Sequence, residues 1–178
     1  MSAPAGNSAT KPAAREPATG RRHKARLAAV QALYQIDLAG TPPGAVIEEW
    51  RRHRLGKSAS PGGEGTTGAV DAALFADVVD GAWQRRADID GLLRPALAED
   101  WTLERLETVL RAALRAAVYE LMARADVPAR VVINEYVDVA HAFFAGREPA
   151  FVNGLLDRLA RRLRPAEFAG EATTPAPE

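Results

Sequence analysis

The sequence contains no cysteine among its 178 residues, which excludes a disulfide framework and any metal site built on thiolates. It also lacks an apolar run of the roughly 20 residues that a membrane-spanning helix needs. Residues 1–20 have no apolar core of the kind that a secretory signal peptide carries. We therefore expect a cytoplasmic protein that makes no use of a membrane.

A net charge is lacking as well, because 23 basic residues balance 23 acidic ones, so the total charge does not indicate a nucleic-acid partner. The distribution of charge is more informative. Residues 1–30 contain six Lys and Arg residues against one acid, Glu16, whereas the chain from Pro165 onwards has three acids and no base. This asymmetry predicts an anionic partner near the N-terminus.

Catalytic motifs are missing too. His23, His53 and His141 are each isolated in sequence from the groups that a metal site or a catalytic triad requires. The sequence shows no phosphate-binding glycine loop, no nucleophile elbow and no metal-ligand spacing. We expect neither an enzyme nor a cofactor or metal, although acid–base residues from distant positions can converge in a fold.

What the sequence does contain is helical periodicity. Apolar residues recur at steps of three and four, as on one face of a helix. The patterns lie at residues 21–39, 46–55, 70–86, 88–98 and 102–124, and after Pro128 and Glu148. They predict an all-α protein in which Thr102 or Trp101 caps the central helix, and in which two prolines each open a helix.

The dipeptide Asn153-Gly154 is typical of a hairpin turn when strands flank it. Here the flanking residues follow the helical period, so we place it inside the last helix. A glycine costs up to about 1 kcal/mol there relative to alanine. This cost indicates either a tight helix contact or a backbone that a partner approaches.

The domain organisation follows from composition. Segments rich in Ala, Pro, Gly, Ser and Thr bury too little apolar surface to become ordered. We therefore expect flexible tails at residues 1–20 and 166–178, a flexible loop at 56–68, and a single helical domain at 21–165.

The basic run of Arg21, Arg22, His23, Lys24 and Arg26 begins the first long helix. RNA phosphates attract such a cluster, and arginine offers a planar fork for phosphate. Positive charge at a helix N-terminus opposes the helix dipole, which favours an external partner. A solvated helix start remains an alternative on charge alone.

Three separated stretches carry a resemblance to a known family. They are residues 22–34, which end in A-L-Y, residues 114–135, which read L-R-A-A-V-Y-E-L through Pro128 to I-N-E, and residues 151–157, which read F-V-N-G-L-L-D. In this order and spacing they resemble the NusB family, over roughly residues 21–165.

The resemblance implies about seven helices packed as two sub-bundles. It also implies binding to boxA RNA together with NusE, a ribosomal small-subunit protein that doubles as a transcription factor. With NusA, NusG and RNA polymerase, the pair would make elongation resistant to termination, chiefly in ribosomal RNA operons. No covalent chemistry is implied.

The resemblance also implies residue roles. The RNA-contacting positions are Arg21, Arg22, His23, Lys24, Arg26, Phe143, Phe151 and Asn153. Tyr34 and Leu110 match the surface that faces NusE, and the same apolar patch would allow a homodimer. Spacing alone places Tyr34 and Phe151 in the core equally well.

A structural polar network is expected from Arg115, Glu120, Asn134 and Glu135. A long polar side chain on a buried helix must be paired to be tolerated. We therefore expect Arg115 to pair with Glu120 or Glu135.

Two other functions compete with a transcription factor. The first is the NusB-like RNA-binding module of ribosomal RNA cytosine methyltransferases, which needs a catalytic domain and reactive cysteines. A chain that ends at residue 178 without cysteine favours the transcription factor. The second is a helical protein-interaction module with no role in RNA binding.

Overall fold

The computed structural model describes residues 18–55, 70–98 and 101–170, and within these ranges it contains helices and no strand. The α-helices are α1 (Ala18–Ala39), α2 (Pro43–His53), α3 (Ala72–Gln84), α4 (Arg86–Leu93), α5 (Thr108–Ala123), α6 (Ala129–Phe143) and α7 (Glu148–Leu163). Short 3₁₀ helices lie at Arg94–Ala96, Leu103–Arg105 and Pro165–Phe168. The prediction of an all-α fold with about seven helices is confirmed. No helix in these ranges is long and apolar enough to cross a membrane.

The helix ends follow local chemistry. Pro43 and Pro149 lie in the first turns of α2 and α7, and Pro128 immediately precedes α6. The Asp71 carboxylate accepts a hydrogen bond from the Leu74 amide at 3.0 Å and so caps α3. Gly40, with φ +65°, ends α1 in a conformation that other residues rarely adopt. The loop predicted at residues 56–68 lies outside the described residues.

Helix α5 occupies the centre of the fold and packs against α1, α3, α4, α6 and α7. Four of its alanines are fully enclosed, and their small side chains let the neighbouring helices approach closely; they are Ala112, Ala113, Ala116 and Ala117. Helices α1–α3 form one group and α5–α7 another, joined where α1 meets α5 and α6. The predicted packing of two sub-bundles is confirmed.

The central helix begins later than predicted. Residues 103–105 form a 3₁₀ turn, Leu106 is extended, and α5 starts at Thr108 with Glu107 as its N-cap residue. Leu103 and Leu106 are nevertheless buried. A 3₁₀ turn brings residues three apart onto one side, so the apolar spacing that predicted an α-helix is satisfied by the tighter turn as well.

The boundaries of both predicted tails are wrong. Helix α1 already begins at Ala18, and the 3₁₀ turn Pro165–Phe168 packs against α7. Phe168 is buried, with the guanidinium groups of Arg130 and Arg161 at 5.3 and 4.7 Å from its ring centroid. An aromatic ring enclosed in this way anchors the segment up to residue 168.

Two polar side chains in the same segment satisfy helix ends. The Arg164 guanidinium donates hydrogen bonds at 2.6–2.8 Å to four backbone carbonyls at the end of α5 and just beyond, those of Glu120, Leu121, Arg124 and Val127. The Glu167 carboxylate accepts a bond from the Ala129 amide at the start of α6 at 2.7 Å, which lowers the pKa of Glu167. A cation thus meets the negative end of one helix dipole, and an anion meets the positive end of the next.

Candidate functional site

The basic run lies in the second and third turns of α1, and its side chains meet two environments. Arg22 is exposed, while Arg21 and Lys24 are half-buried at the edge of the solvent-facing side. Helix α1 has no acid in its first turn, so charge compensation comes from other elements. The Arg22 Nε atom, for example, lies 3.9 Å from the Asp71 carboxylate.

Arg26, one turn after Arg22, points into the protein interior. Its side chain is 2% exposed and donates two hydrogen bonds of 2.9 Å to Glu120, which is fully enclosed. Burial alone would lower the pKa of Arg26, but the hydrogen bonds and charge of Glu120 outweigh it, and the pKa is raised. The predicted RNA contact of Arg26 is therefore wrong, because its guanidinium group is already engaged in the protein interior.

Tyr136 and Glu135 complete this buried network. The Tyr136 hydroxyl donates to Glu120 at 2.8 Å, and burial together with that carboxylate raises the pKa of Tyr136 well above its usual value. Glu135 lies 3.4 Å from the Arg26 guanidinium and 3.0 Å from His23 Nδ1. Glu135 thus connects the buried pair to the half-exposed edge of α1.

The predicted pairing of Arg115 with Glu120 or Glu135 is wrong. Arg115 instead donates two bonds of 2.8 and 2.9 Å to Asp90, and one of 2.9 Å to Asp37. Residues five apart on an α-helix point about 140° away from each other, so Arg115 and Glu120 face different neighbours. Asn134 is exposed on α6, outside the interior where it was expected.

A second surface lies near the end of α1. Tyr34 is 40% exposed, and Leu38, one turn later, is 62% exposed. Beside them opens a cavity of about 640 Å³, lined by Gln31, Tyr34, Glu107, Thr108, Val109 and Phe143. Leu110 is 4% exposed and belongs to the core, so its predicted place on a partner-facing surface is wrong; Thr108 and Val109 line the cavity instead.

A third surface surrounds the start of α7. Phe151 is half-buried and its ring stacks on that of Trp101, with the ring centroids 5.6 Å apart and an interplanar angle of 27°. Asn153, two residues further along α7, is exposed, and its position inside the helix confirms that Asn153-Gly154 is helical. Helical periodicity does not reveal Trp101 as a surface residue, because it lies in an irregular connection.

The basic run and the Tyr34 surface follow one another along α1 and α6. His23 contacts Glu135 early in α1 and α6, and Tyr34 shares the cavity with Phe143 late in the same helices. Helices α1 and α6 therefore run in the same direction. A helix rises about 1.5 Å per residue, so the basic run and the Tyr34 surface are separated by about 20 Å.

Comparison with known proteins identifies the family. The family model for NusB matches residues 23–161. The chain belongs to the NusB family. It is 52% identical over 143 residues to the transcription antitermination protein NusB of Novosphingobium aromaticivorans, which covers 80% of this chain and 95% of that protein. The NusB of Maricaulis maris is 49% identical over 148 residues, covering 83% and 90%.

Solved structures share the fold. NusB of T. maritima matches with a TM-score of 0.68 and 29% identity, covering 87% of this chain and 99% of that one. A crystal structure of the antitermination factors NusB and NusE in complex with double-stranded RNA matches with a TM-score of 0.65 and 28% identity, covering 82% and 99%. The NusB relatives are transcription antitermination factors and not enzymes, which confirms the expectation of a non-enzymatic protein.

Proposed function

We propose that this protein is a transcription antitermination factor that binds boxA RNA together with NusE and supports processive elongation, chiefly of ribosomal RNA operons. The observation that carries the proposal is the solvent-facing basic edge of α1, in a fold shared with the NusB–NusE–RNA complex. NusA, NusG and RNA polymerase would complete the assembly.

The RNA contacts begin at Arg21, Arg22 and Lys24. The Nε atom of Arg21 is shielded from water and has no hydrogen-bond partner among the described residues. The Arg21 side chain as a whole is only half-buried, so its positive charge can still attract an RNA phosphate. His23 contributes less, because Glu135 already engages its ring.

The second set of RNA contacts consists of Phe151 and Asn153 on α7. Both side chains reach the surface, and an aromatic ring offers a face on which an unpaired base stacks. Phe143 is assigned differently, since it lines the cavity beside Tyr34. We place it on the NusE surface with Tyr34 and Leu38.

The exposed apolar side chains of Tyr34 and Leu38 support a NusE-binding surface at the end of α1. Two large apolar side chains on consecutive turns of α1, beside an open cavity, form the apolar centre that a protein interface requires. A homodimer would cover the same patch. Sedimentation of the chain alone, and then with NusE, distinguishes these uses, because NusE should displace any dimer.

A titration tests the RNA proposal. A fluorescently labelled boxA-containing RNA is titrated with the protein, with and without NusE, at about 50 and 200 mM salt. We expect NusE to tighten binding and salt to weaken it. Binding that is absent even with NusE, or insensitive to salt, contradicts the proposal and favours a helical interaction module.

The double variant Arg21→Ala/Arg22→Ala tests the assigned site. Losing two contacts to single-stranded RNA should flatten the slope of log affinity against log salt by about 1.4. The matched control is Arg51→Ala/Arg52→Ala, which removes the same charge from exposed positions of α2. An equal effect of both variants would show general attraction and contradict a site on α1.

A further inference from the structure

Trp101 is a large apolar side chain that the fold leaves half in solvent. It is 51% exposed, whereas the other tryptophans, Trp50 and Trp83, are buried and half-buried. One face of the Trp101 ring stacks on Phe151 of α7. The exposed remainder of the ring is held in a fixed orientation by that contact, because stacked aromatic pairs stabilise each other beyond the area they bury.

The neighbouring positions on α7 leave this surface accessible. Gly154 follows Phe151 by three residues, and a Cβ atom built on it would meet only the Arg158 Nη1 atom, 3.9 Å away. No tight helix contact among the described residues therefore explains the glycine. The backbone at Gly154 is therefore open to a partner that approaches it.

Arg158 frames the same surface. It is exposed and donates a hydrogen bond of 3.1 Å to the Ala96 carbonyl oxygen, which joins α7 to the connection that leads to Trp101. This bond holds a guanidinium group, itself a planar stacking surface, on the same side of α7 as Phe151 and Gly154. An aromatic pair, an open backbone and a fixed arginine thus lie side by side.

We propose that the Trp101–Phe151 pair, flanked by Arg158, is a stacking platform for an unpaired RNA base, with Trp101 as a contact residue in its own right. The inference rests on the proposed RNA-binding function and extends it. The platform extends the proposed RNA surface, because Phe151 belongs to both. Base stacking on aromatic rings tolerates any base and does not depend on phosphate attraction.

The charge of the residues next to Trp101 predicts how its contribution to RNA binding depends on salt. Glu99 and Asp100 precede it in the chain and add negative charge to this part of the sequence. The contribution of Trp101 should therefore come from stacking and change little with salt. The contribution of Arg21 and Arg22 should fall as salt rises.

The test measures binding of the boxA-containing RNA by the full chain with NusE present, at two salt concentrations. Trp101→Ala should weaken RNA binding about tenfold, by the same factor at both salts. Trp101→Phe keeps a ring and should stay within about threefold of the parent protein. Val131→Ala, a variant at another exposed apolar position, should have no effect.

Intrinsic fluorescence supplies a second readout that does not depend on Trp101→Ala folding. RNA should quench the tryptophan emission of the parent protein, and most of that quenching should disappear in Trp101→Phe, because Trp50 is buried and Trp83 lies on α3, half-buried, with Arg86 over its ring. Equal quenching in both proteins would contradict the platform.

Each failure has its own meaning. If the parent protein binds RNA and Trp101→Ala binds equally well, the platform is wrong while the proposed function stands. If the parent protein binds no RNA even with NusE, the proposed function itself fails. If Trp101→Ala weakens NusE binding and leaves RNA binding unchanged, the surface is a protein-docking site, which also overturns the inference.

Discussion

Arg22 and Arg26 lie one turn apart on α1, yet their side chains meet opposite surroundings. The Arg22 guanidinium is about half exposed and lies 3.9 Å from a carboxylate that is itself partly in water. The Arg26 guanidinium is enclosed and forms two short bonds to an enclosed carboxylate. A charge near water is available to a partner at little cost, whereas a buried charge is tolerated only while its own partner is present.

This comparison separates recognition from architecture within one basic run. The outward residues can change without loss of the fold, and the inward residue holds α1 to α5 and α6 through Glu120, Tyr136 and Glu135. We therefore expect that removing one member of an ion pair lowers the free energy of unfolding more, the more deeply the remaining charged group is buried.

The largest cost is expected for Glu120→Ala. The change removes both hydrogen bonds of the enclosed Arg26 guanidinium, leaves it only Glu135 at 3.4 Å, and takes away the acceptor of the Tyr136 hydroxyl. This should lower the free energy of unfolding by about 3–5 kcal/mol. Urea denaturation followed by circular dichroism measures the loss.

The double variant Arg26→Met/Glu120→Gln is the control. It removes both charges and keeps an acceptor for Tyr136, so it should recover at least half of the lost stability. A cost of less than about 1 kcal/mol for Glu120→Ala would mean that the buried pair contributes no more than a surface pair.

Arg115→Ala should cause the second-largest loss in the free energy of unfolding. The Arg115, Asp37 and Asp90 side chains are only 10–15% exposed, and the variant would leave two carboxylates close together without their shared cation. We expect a loss of about 2 kcal/mol in the free energy of unfolding, between the values for buried and exposed pairs.

The control for Arg115 is Arg52→Ala, which breaks an exposed pair with Glu48. This variant should change the free energy of unfolding by less than about 0.5 kcal/mol. If the two variants lose equal free energy of unfolding, the burial of an ion pair does not determine how much its loss destabilises the fold.

The sequence predicts more of the fold than of the site. Apolar spacing and prolines locate the helices, because each burial pattern depends on local periodicity. Spacing cannot tell that Arg26 faces inward beside Glu120, since these residues are 94 positions apart in sequence. The family pattern places Arg26 correctly on the helix but does not say which side of the helix meets RNA.

The partner of Arg115 could not be predicted for the same reason. Asp37 and Asp90 look like surface acids at helix ends, and only the packing of α1 and α4 on α5 brings them together. Trp101 and the helix-capping Arg164 lie in connections without periodicity. Their roles depend on contacts that the local sequence does not encode.

Glu135→Ala should lower the free energy of unfolding less than Arg115→Ala does. Arg26 keeps both bonds to Glu120, so the variant loses only the contact with His23 and one flank of the buried pair. We expect a loss of about 1 kcal/mol, or a Tm lower by about 2–4 °C, with RNA affinity of the folded protein unchanged. Unchanged thermal stability together with lost RNA binding would instead make Glu135 part of the recognition surface.

The smallest effect is expected for Asp126→Asn, at an exposed ion pair. Arg124 donates two bonds of 2.9 Å to Asp126, and these bonds hold the pKa of its carboxyl at about 2, below the usual value of 3.8. A folded-state pKa below the unfolded one stabilises the fold at neutral pH, and this contribution disappears as the pH falls through that interval.

The parent protein should therefore have a slightly higher Tm than Asp126→Asn at pH 5, and the difference should narrow at pH 3. The difference should stay small even at pH 5, because the Asp126 side chain is 57% exposed and Arg124 keeps its bond to Asp77. A large difference in Tm, or one that grows towards low pH, would show that burial does not set the cost of these pairs. The ordering from Glu120 to Asp126 would then have to be explained by geometry alone.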